Sequence, residues 1–159
     1  HASAFARMPR VGDAPLKTVV FSEHRYNWAN VHLEQGAKYN VRVASRDDQW
    51  QDGGIECKAS GWTTQEAGLA FFKREVIERF ERFRRVPEAN WFELIGAYSA
   101  DDEDRDGNSL LFRLGAAATP AGASFVAERE GDLWLFANDL DSRYGNNEGS
   151  LEIEIQRIA

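Results

Sequence analysis

The sequence predicts an all-β protein: an antiparallel β-sandwich of jelly-roll-like type with one inserted amphipathic helix. Three observations carry this. Short segments with apolar residues at every second position recur along the chain, the mark of half-buried strands. Turns rich in Gly, Asn, Asp and Pro separate them at the close spacing of sandwiches and jelly rolls. Only residues 64–85 change to a helical period.

Residues 1–15, HASAFARMPRVGDAP, are small, polar and punctuated by Pro. They read as a flexible arm or the remnant of a linker, and the sandwich domain is expected over 16–159. KTVVF (17–21) is the first strand. VHLEQ (31–35) and KYNVRVAS (38–45) follow, the second with Tyr39, Val41 and Val43 alternating with polar residues. Trp50-Gln51-Asp52-Gly53-Gly54 reads as a turn, and Ile55 to Ala59 alternates again up to Gly61-Trp62.

In 64–85, Leu69, Phe72, Val76, Phe80 and Phe83 recur at spacings of three and four among Lys, Arg and Glu. This is the stripe of an amphipathic helix. Thr63 or Thr64 is its N-cap, with Glu66 in the first turn. Arg82, Arg84 and Arg85 suit the C-terminal dipole, and Pro87 ends it. The stripe is expected to pack on the sandwich, and Glu75, Glu78 and Glu81 to pair with the interleaved bases. Strands resume at WFELIGAY (91–98), LLFRLG (110–115), SFVAE (124–128), LWLFAND (133–139) and LEIEIQRI (151–158), with the turns AAATPAGA and REGD between them. The total is about eight strands.

The chain has 159 residues, 43% of them hydrophobic and 12% aromatic, which is one domain with its own core. The formal charge of −7 and a pI near 5.0 argue against a nucleic-acid partner and against anionic lipid, while leaving room for a divalent cation. No apolar run has the length of a transmembrane segment, and there is no signal-peptide pattern. The first residue is His1 rather than Met, which fits a processed or excised piece of a longer protein. Cys57 is the single cysteine, so no internal disulfide forms, and its place in an alternating strand makes it inert.

The loop NDLDSRYGNNEGS (138–150) is longer than a hairpin needs and unusually rich in oxygen. Calcium takes six to eight oxygen ligands from carboxylates, amides and backbone carbonyls. Asp139 leaves one strand, Asn146 and Asn147 return to the next, and carbonyls near Arg143 fill the gap. Gly145 and Gly149 permit backbone conformations closed to other residues. The absence of imidazole and thiolate disfavours zinc or copper. The plain alternative is a long Asn-Gly hairpin, since both residues favour turns for their own reasons.

ANDLDSRYGNNEGSLEIEI resembles the carboxy-terminal signature of the calcium-dependent galactophilic lectins of the PA-I (LecA-like) type. ASGW (59–62), NWFELIGAY (90–98) and LLFRLG (110–115) are weaker echoes of earlier family strands. The resemblance implies a galactose-binding-like sandwich in which Ca2+ bridges protein and carbohydrate, a galactoside or related glycan. It implies Asp139 as calcium ligand and acceptor of a sugar hydroxyl, Arg143 as a backbone-carbonyl ligand, and Asn146 and Asn147 as amide ligands. Asn146 also touches sugar, the Leu140 backbone faces it, and Gln65 is a further carbonyl ligand. Such a lectin is secreted or displayed on a cell surface, and its partners include a homo-oligomeric copy or a covalently linked catalytic domain.

The sequence departs from the family in two places. The His-Pro-x-Gln-Gly sugar loop is missing, and the helix and VPEAN (86–90) stand in its place, which puts galactose selectivity in doubt. Asp141 replaces a Pro beside the ion.

Other constellations are weaker. Asp102, Asp104 and Asp106 begin an EF-hand-like loop, but the twelfth position holds Arg113 rather than Glu, so a solvated acidic turn is the simpler reading. Trp28, Trp50 and Trp62 lie near loops and are candidate stacking platforms; Trp91 and Trp134 look like core. No triad or nucleophile motif accompanies His24 or His32, so the domain is expected to be non-catalytic. The alternative to a lectin is an accessory or interaction domain of a larger bacterial hydrolase or effector, docking through its helix.

Overall fold

The computed structural model describes residues 6–44, 49–52, 55–64, 71–99, 111–140 and 143–159, with the backbone alone for 71–75. Asp102, Asp104, Asp106, Asp141 and Gln65 therefore lie outside the described residues. Among the described residues, eleven strands form three antiparallel sheets. The first has the order β1 (Leu16–Phe21), β11 (Ser150–Arg157), β3 (Lys38–Val43), β8 (Ala123–Val126). The second runs β2 (Asn27–Leu33), β9 (Gly131–Ala137), β6 (Leu94–Ala97), β7 (Leu111–Arg113). The third is small: β10 (Asn147–Glu148), β4 (Trp50–Asp52), β5 (Ile55–Cys57).

Alternation builds the sandwich. Tyr39, Val41 and Val43 of β3, Leu151, Ile153 and Ile155 of β11, and Ala29, Val31 and Leu33 of β2 share one buried core. Their neighbours Glu152, Glu154 and Arg42 face out, because successive side chains of a strand point to opposite faces. β9 reads LWLFA without alternation because its sheet is covered on both sides. Leu133, Leu135 and Ala137 enter the main core. Phe136 joins Ile95, Ala97, Val86 and Ala89 in a second cluster, with Trp134 and Tyr26 packed against it.

The helix differs from its expected form. α1 spans Phe71–Phe80 and a 3-10 turn follows over Glu81–Phe83. The Thr64 hydroxyl donates to Glu78 Oε1 at 3.0 Å, and residues 65–70, on which the capping expectation depends, lie outside the described residues. Of the expected apolar stripe, Val76, Phe80 and Phe83 are exposed at 49%, 47% and 56%, while Ile77, off that stripe, packs against the main core. Val86 and Ala89, of the link after the helix, pack on Ile95, Ala97 and Phe136 of the second sheet. Arg84 bonds the Glu81 and Pro87 carbonyls and lies 5.0 Å over the Trp91 ring. Arg85 packs 3.4 Å over Phe136. Arg84 thus meets a carbonyl of the last turn, as a cation at a helix C-terminus does, whereas Arg85 turns inward to Phe136, Arg25 O and Tyr144.

Three further elements differ from the sequence expectation. Trp50–Asp52 is a strand, paired with Ile55–Cys57, not part of the turn. β10 is a two-residue strand that alternation is too short to reveal. β2 begins at Asn27, where a register shift between Trp28 and His32 and a φ of 57° at Asn30 break the pattern. After the acidic segment, β7 places Arg113 in a bidentate pair with buried Glu93, at 2.9 and 2.7 Å, a role unlike that of a calcium-loop ligand.

Candidate functional site

The loop from β9 to β11 is anchored before any ligand is considered. Asn138 is fully buried. Its Oδ1 accepts from Val86 N at 2.9 Å and its Nδ2 donates to Val86 O and Asn90 O at 2.9 Å each. Phe92 takes a left-handed φ of 61° to donate its N–H to Asn138 O at 2.7 Å, a strained backbone of the sort that persists where its surroundings over-determine it. Tyr144 is the loop's plug: its hydroxyl donates to Ala137 O at 2.5 Å and accepts from Arg85 Nη1 at 2.9 Å. Of the two loop glycines, Gly149 takes φ +90°, and a Cβ there would stand 3.2 Å from Trp50 Cα. Gly145 sits in the 3-10 turn Tyr144–Asn146 with no positive φ, so the special backbone expected of it is absent.

On this frame Asp139 and Asn147 come together. Asp139 is 2% exposed and Asn147 3%. Asn147 Nδ2 donates to Asp139 Oδ2 at 3.2 Å and to Ser22 O at 2.9 Å. Asp139 Oδ1 accepts from Leu140 N at 2.7 Å. Asn147 Oδ1 is buried and has no hydrogen-bond partner among the described residues, an uncommon state for a buried amide oxygen. Arg143 and Asn146 lie on the same turn, both exposed, with Asn146 N donating to Arg143 O at 3.4 Å. Leu140 is half-buried beside them.

One carboxylate belongs here that the sequence did not flag. Asp52 is the cross-strand partner of Asn147. Burial first, and the Asp139 carboxylate second, push its carboxyl up to about 7, against smaller pulls from the Trp62 indole and Arg143. Asp139 is also raised, by burial, although Leu140 N–H, the Asn147 amide and Arg143 all favour its charged form. Asp52 was hidden because it precedes Gly53-Gly54 and looks like turn chemistry; nothing local announces that β10 will pair with it. The donor set of Asp139, Asp52 and Asn147 is all oxygen, with one buried oxygen unsatisfied, and it fits a hard divalent cation. Cys57 does not compete, since burial and Asp52 push its thiol up to about 12.

Trp50 and Trp62 are buried and cannot serve as exposed stacking platforms. Trp62 stacks on Trp91 at 5.8 Å and 17°. Trp28 is partly exposed, but its indole N–H donates to Asp132 Oδ2 at 3.0 Å within a separate cluster around His32. No helix among the described residues is long and apolar enough to cross a membrane.

Together the two large sheets and their common core define an antiparallel β-sandwich. A solved structure described as the N-terminal domain of EclA, a PllA-like lectin, matches it with a TM-score of 0.55 at 17% identity, over 89% of this chain and 95% of that one. At that identity the likeness is one of fold. No protein-family model and no curated protein matches the sequence.

Proposed function

We propose that this chain is a calcium-dependent carbohydrate-binding domain, using its last long loop as PA-I-type galactophilic lectins use theirs. The observation that carries the reading is the orphaned Asn147 Oδ1 set beside the buried Asp139 carboxylate. Asp139 and Asn147 would hold the ion from within, and the Asn146 amide and the Arg143 carbonyl from the exposed rim. Bound there, Ca2+ supplies open coordination positions that two neighbouring sugar hydroxyls can fill. Asp139, Asn146 and the Leu140 backbone would orient those hydroxyls. The lectin-like fold of the EclA domain supports carbohydrate as the ligand class.

Galactosides are the first glycans to try, although the family's selecting loop is replaced here by α1 and 86–90. The role is binding rather than chemistry. A shallow single site of this sort gains useful strength from multivalency, so a homo-oligomer or a linked second domain suits it.

Calcium titration by calorimetry, followed by a broad glycan array in calcium and in EGTA, tests the reading. Calcium binding with EGTA-sensitive glycan capture is the expected result. Failure to bind calcium at millimolar concentration would overturn it. Calcium binding with no glycan captured would favour the accessory-domain reading, for which the exposed Val76, Phe80 and Phe83 are the supporting observation.

A further inference from the structure

The ligand set implied by the loop contains one carboxylate, yet the fold brings two to the same place. Asp52 closes β4 directly opposite Asn147 of β10. Residues directly opposed in an antiparallel pair carry their side chains to the same face, with Cβ atoms about 5 Å apart. Asn147 in turn lies within hydrogen-bonding distance of Asp139, at 3.2 Å. Three oxygen-bearing side chains from two separate β-connections are therefore neighbours, Asn147 touching Asp139 and standing opposite Asp52, and the amide keeps one buried oxygen unsatisfied. Arg143 is the cation that both carboxylates feel, and it is exposed. Two acids flanking an amide whose oxygen is buried and unpartnered, with Arg143 as the exposed counter-charge among the described residues, form a site suited to a divalent ion.

We propose that Asp52 is a second carboxylate ligand of the cation held by Asp139 and Asn147, so that the site binds Ca2+ through two acids contributed by different sheet connections. The inference rests on the calcium reading above and deepens it. It has a structural consequence: the ion ties β4 to the β9–β11 loop, so calcium stiffens the small third sheet as well as ordering the rim. With both acids engaged, the protein neutralises the ion's charge, which raises affinity relative to a one-carboxylate site.

The test uses the full chain as wild type, Asp52→Asn, Asp52→Ser and Asp139→Asn. Ca2+ affinity is measured by calorimetry. Tb3+ luminescence lifetimes in H2O and D2O count the waters on the bound ion. Thermal unfolding is followed in EDTA and in saturating Ca2+. Asp52→Asn is expected to weaken Ca2+ by about tenfold or more and to add one inner-sphere water to bound Tb3+. Its melting temperature in EDTA should equal or exceed that of the wild type, because one of two facing acids has been neutralised, while its calcium-induced rise shrinks. Asp52→Ser should show the same affinity loss and extra water. Wild-type Ca2+ affinity and hydration number in both Asp52 variants, with binding lost only in Asp139→Asn, would overturn the inference and leave the calcium reading standing. No calcium binding by the wild type would overturn both.

Discussion

Asn147 Nδ2 lies 2.9 Å from Ser22 O and 3.2 Å from Asp139 Oδ2, joining the β1–β2 turn to the acid at the end of β9. One amide thus holds two segments far apart in the chain, and its own oxygen is left over. Asn147→Ala removes both donations from a buried position. It should cost about 2–3 kcal/mol of stability and abolish calcium binding, measured by urea unfolding and calorimetry. Retention of both would mean the amide is not the keystone of the site.

Tyr144 anchors the same loop through its hydroxyl. In Tyr144→Phe, Ala137 O loses the Tyr144 hydroxyl donor and Arg85 Nη1 loses one of its acceptors, keeping Arg25 O. The ring still fills its place, so the fold should survive with a loss of about 1–2 kcal/mol. Hydrogen exchange should quicken at residues 143–148 more than in β3 or β11. A uniform change would show that the hydroxyl acts on the whole fold, not locally.

Gly61 has φ +76°, and a Cβ there would stand 2.2 Å from Trp91 O and 2.6 Å from Glu93 N. Neither neighbour is a side chain that can swing away. Gly61→Ala should therefore destabilise by about 3 kcal/mol, read as a lowered melting temperature. The Trp62–Trp91 stack, seen in near-ultraviolet circular dichroism, should be lost with it.

His32 lies between two carboxylates, with Nδ1 3.1 Å from Asp132 Oδ1 and Nε2 2.8 Å from Glu130 Oε2. Burial pulls its pKa down, but the hydrogen bonds and charges of Asp132 and Glu130 outweigh it, and the net shift is upward from 6.5. A histidine whose folded pKa is raised contributes stability that is complete below the unfolded value and is lost as pH rises through the folded one. The wild type should therefore lose stability relative to His32→Gln as pH climbs above 6.5. Equal slopes for the two proteins in calcium-free buffer would refute this.

Much of the sandwich was readable in advance. KYNVRV and LEIEIQRI alternate so cleanly that burial of Tyr39, Val41, Ile153 and Ile155 follows from period alone. The oxygen-rich loop also stood out, because a turn does not need so many amides. Asp139 and Asn147 are in contact, while Asn146 and Arg143 occupy the neighbouring exposed rim. The helix was harder. A 3.6-residue period shows that Val76, Phe80 and Phe83 share a face, but not what that face meets, and here the link 84–90 took the sheet surface it was expected to cover.

By itself, then, the chain determined most of its strands and their inward faces and marked one loop as rich in oxygen, because those depend on near neighbours and on which side chains prefer water. The tertiary structure alone decided that β10 pairs with β4, that Asp52 thereby stands opposite Asn147, and that Arg85 turns onto Phe136 beside Tyr144. These depend on contacts between residues remote in sequence, where the gain from closing the core selects partners that no local period encodes.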